Sequence, residues 1–345
     1  MKIANLSDGD RTKINAIVKD VKKCVNNNGK NYLTLILEDS SGCLDARKWE
    51  VVDDDHFIFQ KGNFVEVDLA ANSYDKKIQG KVFSGRKLSE DEVSLDELTL
   101  SAPIPFPELH EKCRVHIASI QDPVVSNLVK AIFRKYYLKF REWPAAVSNH
   151  HNYLHGLIYH SITMADLASE IARVYPVLNR DVLVAGTLIH DIGKIYELSG
   201  PIATNYTLEG KLVGHLVLGQ DIVREAATEL GYFEYDSLSE EEKQDKTSEA
   251  FHKKEIAVIF EHILISHHGQ PDYGSSIRPL TRESQVISMI DDLDAKMMIL
   301  SNAYDGIEKG DWTAKIFSMD GRYFYKPMYT KDEDVPVGLK PDKLD

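Results

Sequence analysis

Near residue 113 the hydrophobic pattern of this 345-residue chain changes period, so no single architecture can satisfy both halves. Before that point the apolar residues fall in short β-prone runs at 13–21, 32–37, 43–49, 64–70 and 77–83. Turn signals separate them: Asn26-Asn27-Asn28-Gly29, Gly42, Lys61-Gly62-Asn63 and Gly80. Runs of this length and composition between such breakers are strands. Five in sequence predict a small closed barrel. Beyond 113 the apolar residues recur at i, i+3/i+4, which predicts helices near 122–141, 153–174, 181–190, 211–230, 255–268 and 283–300. The expected fold class is therefore two-domain, a β-barrel followed by an all-α bundle.

The barrel is expected over residues 1–88, and among small barrels the OB-fold is the commonest that binds nucleic acid. Residues 89–112 start acidic (Ser89-Glu90-Asp91-Glu92) and end with Pro103, Pro105 and Pro107, which reads as a linker or surface strap. The helical domain is expected over 113–310. Within it, 232–253 is charged and poor in apolar residues and reads as an exposed insertion. Asp181 is placed to cap the third helix, and Gly231 and Gly269 stand where C-terminal caps belong. A tail over 311–345, carrying Trp312, Phe317, Tyr323, Phe324, Tyr325 and Tyr329, is expected to pack on the helical domain.

The net charge of −13 argues against wholesale electrostatic capture of nucleic acid. It is unevenly spread: residues 1–87 hold 15 Lys/Arg against 13 Asp/Glu, and the remainder holds 26 against 41. A near-neutral head can still present a local basic groove. Cations bound to the body would offset its carboxylates. No apolar run approaches the roughly 18–20 residues that cross a membrane, and the N-terminus lacks the apolar stretch of a secretory signal, so a cytoplasmic location is expected. Cys24, Cys43 and Cys113 are isolated, fit neither a disulfide framework nor a zinc knuckle, and are expected to be buried free thiols.

Ten of the thirteen histidines lie between positions 150 and 268. Imidazoles at that density in apolar helices need partners. His190-Asp191 ends an apolar helix and is followed by Ile192-Gly193-Lys194. His160 lies on the helix before it. His215, His267-His268 and Asp291 lie on or beside helices after it. Packing can converge them in the core of a bundle. Imidazoles and carboxylates without thiolates suit borderline divalent ions such as manganese, iron, cobalt or zinc. A carboxylate bridging two ions among several imidazoles is a common arrangement for phosphoryl chemistry, and Asp191 is the obvious bridge. His267 and His268 point about 100° apart in a regular helix, so both can face one centre only if the helix turns there, which Gly269 allows. His262 points elsewhere and is read as structural.

The ordered series His160, His190-Asp191, Asp291 resembles the HD metal-dependent phosphohydrolase superfamily, and His215 with His267-His268 resembles its two-metal members. Longer stretches resemble the YhaM-type 3′→5′ exoribonucleases. They are Pro144-Ala-Ala-Val-Ser-Asn-His-His-Asn-Tyr153, Gly156-Leu-Ile-Tyr-His-Ser161 and Gly200-Pro-Ile-Ala-Thr-Asn-Tyr-Thr-Leu-Glu-Gly210. Gly214-His215, Ser266-His-His-Gly269 and Asp291-Asp-Leu-Asp-Ala-Lys296 complete the set. That family joins an OB-fold to an HD domain. The resemblance implies one ion held by His160, His190, Asp191 and Asp291, and a second by Asp191, His215, His267 and His268. Manganese comes first, with iron, cobalt or zinc as alternatives. Lys194 would face the phosphate beside the catalytic Asp191. Where the family has Gly-Gly-Leu-Leu-Glu-His-Thr, this chain has His155 and Tyr159 in place of a Gly and the Glu.

The implied activity is hydrolysis of single-stranded RNA from its 3′ end to 5′-mononucleotides by metal-activated water, with single-stranded DNA as a second candidate substrate. A homo-oligomer is compatible with the sequence. On the barrel, Tyr32, Arg47, Lys48, Trp49 and Tyr74 are candidates to hold the strand by stacking and phosphate pairing. Two other readings stand beside this one: an HD nucleotide phosphohydrolase or cyclic-dinucleotide phosphodiesterase, and a single-strand-binding module without activity. The first needs no barrel, and no Gly-Tyr-Pro motif follows His267-His268; the second leaves the ligand set unexplained.

Overall fold

The computed structural model describes the chain apart from residues 27, 75–76, 148–152, 203 and 332–345 and the side chains of Glu90, Asp96 and Glu97. Asn27 of the first turn signal, His150, His151 and the end of the tail thus lie outside the described residues. Two compact units emerge: Met1–Ser101 with Gly200–Asn205, and the remainder from Ala102.

The first unit is a closed five-stranded barrel in the order β1-β2-β3-β5-β4. The strands are β1 (Arg11–Val25), β2 (Asn31–Asp39), β3 (Gly42–Lys48), β4 (Phe64–Tyr74) and β5 (Lys77–Lys87). All pairings are antiparallel except β3 with β5, the arrangement of an OB-fold. Alternation decides which side chains fill it: Leu33, Leu35 and Leu37 of β2 meet Leu44 and Ala46 of β3 and Val65, Val67 and Leu69 of β4. Two short helices, α1 (Asp55–Ile58) and α2 (Leu95–Leu98), belong to this unit. Alternation also sends Cys43 outward, so of the three thiols only Cys113 is fully buried.

The second unit is a helical bundle. Its long members are α3 (Phe106–Ala118), α4 (Pro123–Glu142), α5 (Gly156–Val174) and α6 (Arg180–Ile189). Two short helices follow, α7 (Lys194–Glu197) and α8 (Leu208–Leu212). Then come α9 (His215–Glu229), α10 (Glu249–Ser266) and α11 (Arg282–Asp305). The core is centred on α6, buried from Val182 to Ile189. No helix among the described residues is long and apolar enough to cross a membrane.

Several expectations are corrected. The segment 89–112 is not a free strap: α3 starts at Phe106 and buries Leu109, Cys113 and His116. The stretch 232–253 is anchored, because Tyr232 is buried and its hydroxyl donates to the Val124 carbonyl at 2.7 Å. Its last residues already form α10. Asp181 does not cap α6. Asn179 does, accepting from the Val182 amide, while Asp181 accepts from the amides of Gln121 and Asp122. Gly231 and Gly269 do follow helix ends, both with positive φ. The tail aromatics are not packed away. Trp312 pairs with Tyr325 across an isolated bridge, and Phe317 and Tyr329 are 82% and 87% exposed.

Candidate metal centre

Three helix ends and two helix faces deliver the predicted ligands to one place. His160 projects from α5, His190 caps the C-terminus of α6 with Asp191 next, and His215 opens α9. His267 caps α10, and Asp291 lies midway along α11. The chain turns from α6 into α7 at Gly193, where an added Cβ would fall 2.0 Å from the His215 carbonyl oxygen. Only glycine permits that approach of α9 to the His-Asp pair. At the other end Gly269, with φ +81°, turns the chain after α10 so that His267 and His268 both reach the centre.

Each imidazole is oriented from behind. The Nδ1 atoms of His190, His267 and His268 donate to the carbonyls of Thr187, Leu264 and Tyr273 at 2.8–2.9 Å. Those of His160 and His215 donate to carboxylates, Asp294 at 2.7 Å and Glu197 at 2.9 Å. A carbonyl or carboxylate can only accept, so Nδ1 carries the proton and Nε2 faces inward in all five rings. The inward atoms crowd one another: Nε2 of His160 and His190 lie 3.2 Å apart, and those of His215 and His268 lie 3.3 Å apart.

Asp191 sits between two sets. Its Oδ2 lies 3.3 Å from His190 and 3.7 Å from His160, while Oδ1 lies 3.4 Å from His215 and 3.6 Å from His267. Asp291 lies 3.3 Å from His160. Three groups with ligand-sized spacing result: His160-His190-Asp291, His190-Asp191-His267 and His215-His267-His268. Buried Asp191 Oδ1 and His267 Nε2 have no hydrogen-bond partner. Four carboxylates, Asp191, Asp291, Asp294 and Glu197, stand against one ammonium, Lys194. Orphaned lone pairs and surplus buried negative charge fit divalent cations.

The electrostatics follow. Burial pushes the Asp191 carboxyl up, but Lys194 and His190 outweigh it and hold Asp191 well below the usual carboxylate range. Burial pulls His160 down, yet Asp291 and Asp294 more than offset it and raise it to about 10. Burial alone dominates at His267, which falls to about 3. The Lys194 ammonium lies 2.6 Å from Asp191 Oδ2, so it is committed to that carboxylate instead of standing free to face a phosphate.

Sequence reasoning missed Asp294 and Glu197. Each lies three residues from a named site residue, Asp291 or Lys194, on a helix. That spacing puts them on the same face and was the available signal. His262 is structural as expected, accepting from the Leu280 amide. His155 takes a left-handed backbone conformation, φ 64°, where the resembled family has glycine. Tyr159 is buried beside Tyr153.

On the barrel, Tyr32 and Trp49 stack at 4.7 Å, with the Arg47 guanidinium 5.8 Å over the Trp49 ring. Trp49 is 39% exposed. Tyr74 is exposed at the end of β4. Lys48 is a correction: it is buried, pairs with Asp55 at 3.5 Å and donates to the Glu50 carbonyl, so it cannot follow a phosphate backbone. A further cation–aromatic group, Arg11 over Phe83 at 4.6 Å, was not anticipated.

The HD domain family model matches residues 157–296. The 3′-5′ exoribonuclease YhaM of Geobacillus sp. (strain WCH70) is 35% identical over 329 residues, 95% of this chain and 95% of its own length. The protein of the same name from Bacillus subtilis (strain 168) is 34% identical over 316 residues, 91% of this chain and 94% of its own. With HD-type candidate ligands converged in a helical unit that follows an OB-fold barrel in the sequence, and identity at this level over nine-tenths or more of both chains, the chain belongs to the YhaM 3′-5′ exoribonuclease family.

Proposed function

We propose that this protein hydrolyses single-stranded RNA from the 3′ end, releasing 5′-mononucleotides at a centre that holds two divalent ions, manganese first among them. The observation that carries the reading is Asp191, whose two oxygens face opposite imidazole sets. His160, His190, Asp191 and Asp291 would hold one ion; Asp191, His215, His267 and His268 the other. When bound, such ions acidify a water and neutralise charge building on the phosphoryl oxygens.

The chain's own residues prepare that chemistry. Lys194 keeps Asp191 ionised in a buried setting, and the fixed Nδ1–H bonds aim all five Nε2 atoms at the centre without reorientation of the rings. The exposed Tyr32–Trp49 stack with Arg47 suits base stacking and phosphate pairing along a single strand.

The test is degradation of 3′- and 5′-end-labelled RNA with Mn²⁺. Stepwise shortening from the 3′ end is expected, and Asp191→Ala should abolish it. Full-rate degradation by Asp191→Ala would overturn the site. Nucleotide turnover with intact RNA would favour a nucleotide phosphohydrolase, and tight binding without turnover a binding module.

A further inference from the structure

The face of α7 turned away from Asp191 borders a groove of about 670 Å³, within the size range of small-molecule sites. Trp143 and Tyr196 wall it, and Ile195, Leu198 and Ile222 form its apolar floor. The Lys139 ammonium lies 5.0 Å from the Tyr196 ring and 5.8 Å from the Trp143 ring, and it makes no ion pair among the described residues. Of the rim carboxylates, Glu225 is committed to Lys135 and the Tyr136 hydroxyl. Asp221 and Glu209 have no such partner among the described residues.

An occupant that satisfies this groove needs a flat aromatic body for Tyr196 and Trp143 and N–H donors for the acceptor-only carboxylates. It also needs an anionic end for Lys139. We propose that the groove binds a purine nucleoside 5′-monophosphate, with the phosphate on Lys139, and that this second site reports product level to the metal centre. The base stacks on Tyr196, and its amino or imino N–H edge meets Asp221 or Glu209.

The route to the centre is short. Ile195, Tyr196 and Leu198 line the groove, while Lys194 and Glu197 of the same segment hold Asp191 and His215. The segment has no slack. An added Cβ would fall 2.0 Å from the His215 carbonyl oxygen at Gly193, and 2.2 Å from the Glu197 carbonyl oxygen at Gly210. Displacing α7 therefore displaces groups that orient His215.

The inference rests on the proposed reaction only for the source of the nucleotide. A chain that binds AMP yet leaves RNA intact would overturn the hydrolase reading and keep the groove. The test is equilibrium dialysis of AMP against the full-length protein with Mn²⁺, followed by kinetics on labelled RNA. Binding is expected to weaken about ten-fold or more in Tyr196→Ala, as loss of a stacking ring implies, and in Lys139→Ala. Tyr196→Phe should keep it, and all three variants should melt as the parent does. AMP should lower kcat without raising KM in the parent and leave the kcat of Tyr196→Ala unchanged. AMP and an uncleaved oligoadenylate should bind together. No AMP binding, binding unchanged in both alanine variants, a rise in KM alone, or mutual exclusion of AMP and the strand would each overturn the proposal.

Discussion

At the scale of single residues, the centre is defined as much by what stands behind the imidazoles as by the imidazoles themselves. His160 and His215 differ from the other three rings because a carboxylate backs each one. A backing carboxylate raises ligand basicity and fixes the ring, and its removal typically costs about 10–100-fold in metal affinity. Asp294→Asn and Glu197→Gln are therefore expected to weaken Mn²⁺ binding by that factor in calorimetric titration, with the helical circular dichroism intact. Affinity equal to the parent's in both would show the backing to be passive. A second prediction concerns His160. Its pKa is raised to about 10 by Asp291 and Asp294, so without a cation the ring keeps its second proton at neutral pH. A divalent ion needs the neutral ring. Uptake at pH 7–8 should thus release a proton, and affinity should rise with pH up to about 10. Titration heats that do not vary with the buffer's ionisation enthalpy would remove His160 from the ligand set.

At the scale of elements, the decisive feature is the close approach of the α6–α7 turn to α9. A Cβ on Gly193 would meet not only the His215 carbonyl but also the Gly219 amide nitrogen, at 2.5 Å. Backbone cannot yield as a side chain tip can. Gly193→Ala should cost roughly 1–3 kcal/mol, as overpacking does. It should also lower bound metal per chain, read by thermal melting and elemental analysis; a parent-like melt and metal content would contradict the packing account. The long helices and the strands were legible because period alone specifies them. What failed was punctuation. Pro105 and Pro107 read as a linker, yet Pro105 precedes α3 and Pro107 lies in its first turn, where a missing amide costs nothing. Residues 232–253 read as an excursion because two anchors, Tyr232 and Tyr235, were outweighed by charge. The misplaced Lys48 was decidable: Leu44 and Ala46 point inward, and continuing that alternation sends Lys48 in and Arg47 out. Helices of four or five residues, α7 and α8, have too few turns to show a period, so only the three-residue spacing from Lys194 marked Glu197.

At the scale of the molecule, the proposed metal centre and the proposed stacking surface fall in separate compact units. The Tyr32–Trp49 stack with Arg47 belongs to the barrel, and every candidate metal ligand belongs to the helical unit. Two units with separate cores can be perturbed one at a time. Stacking of one base on an aromatic ring contributes about 1–3 kcal/mol, so Trp49→Ala should weaken binding of a long single strand by roughly ten-fold or more. On the proposed division of labour the chemical step draws nothing from that ring. A dinucleotide is too short to need a stacking platform and should be hydrolysed by Trp49→Ala at the parent's rate, while KM for a long strand rises and kcat holds. Steady-state kinetics on a dinucleotide and a twenty-mer would separate the two contributions. Equal loss on both would mean that Trp49 acts through folding or through the centre itself. The net charge of −13 makes the point sharper, since bulk electrostatics repel the substrate and long-strand affinity then depends on a few placed contacts. Raising salt should therefore weaken the parent's binding less steeply than it weakens a strongly basic binder, because few phosphates are neutralised.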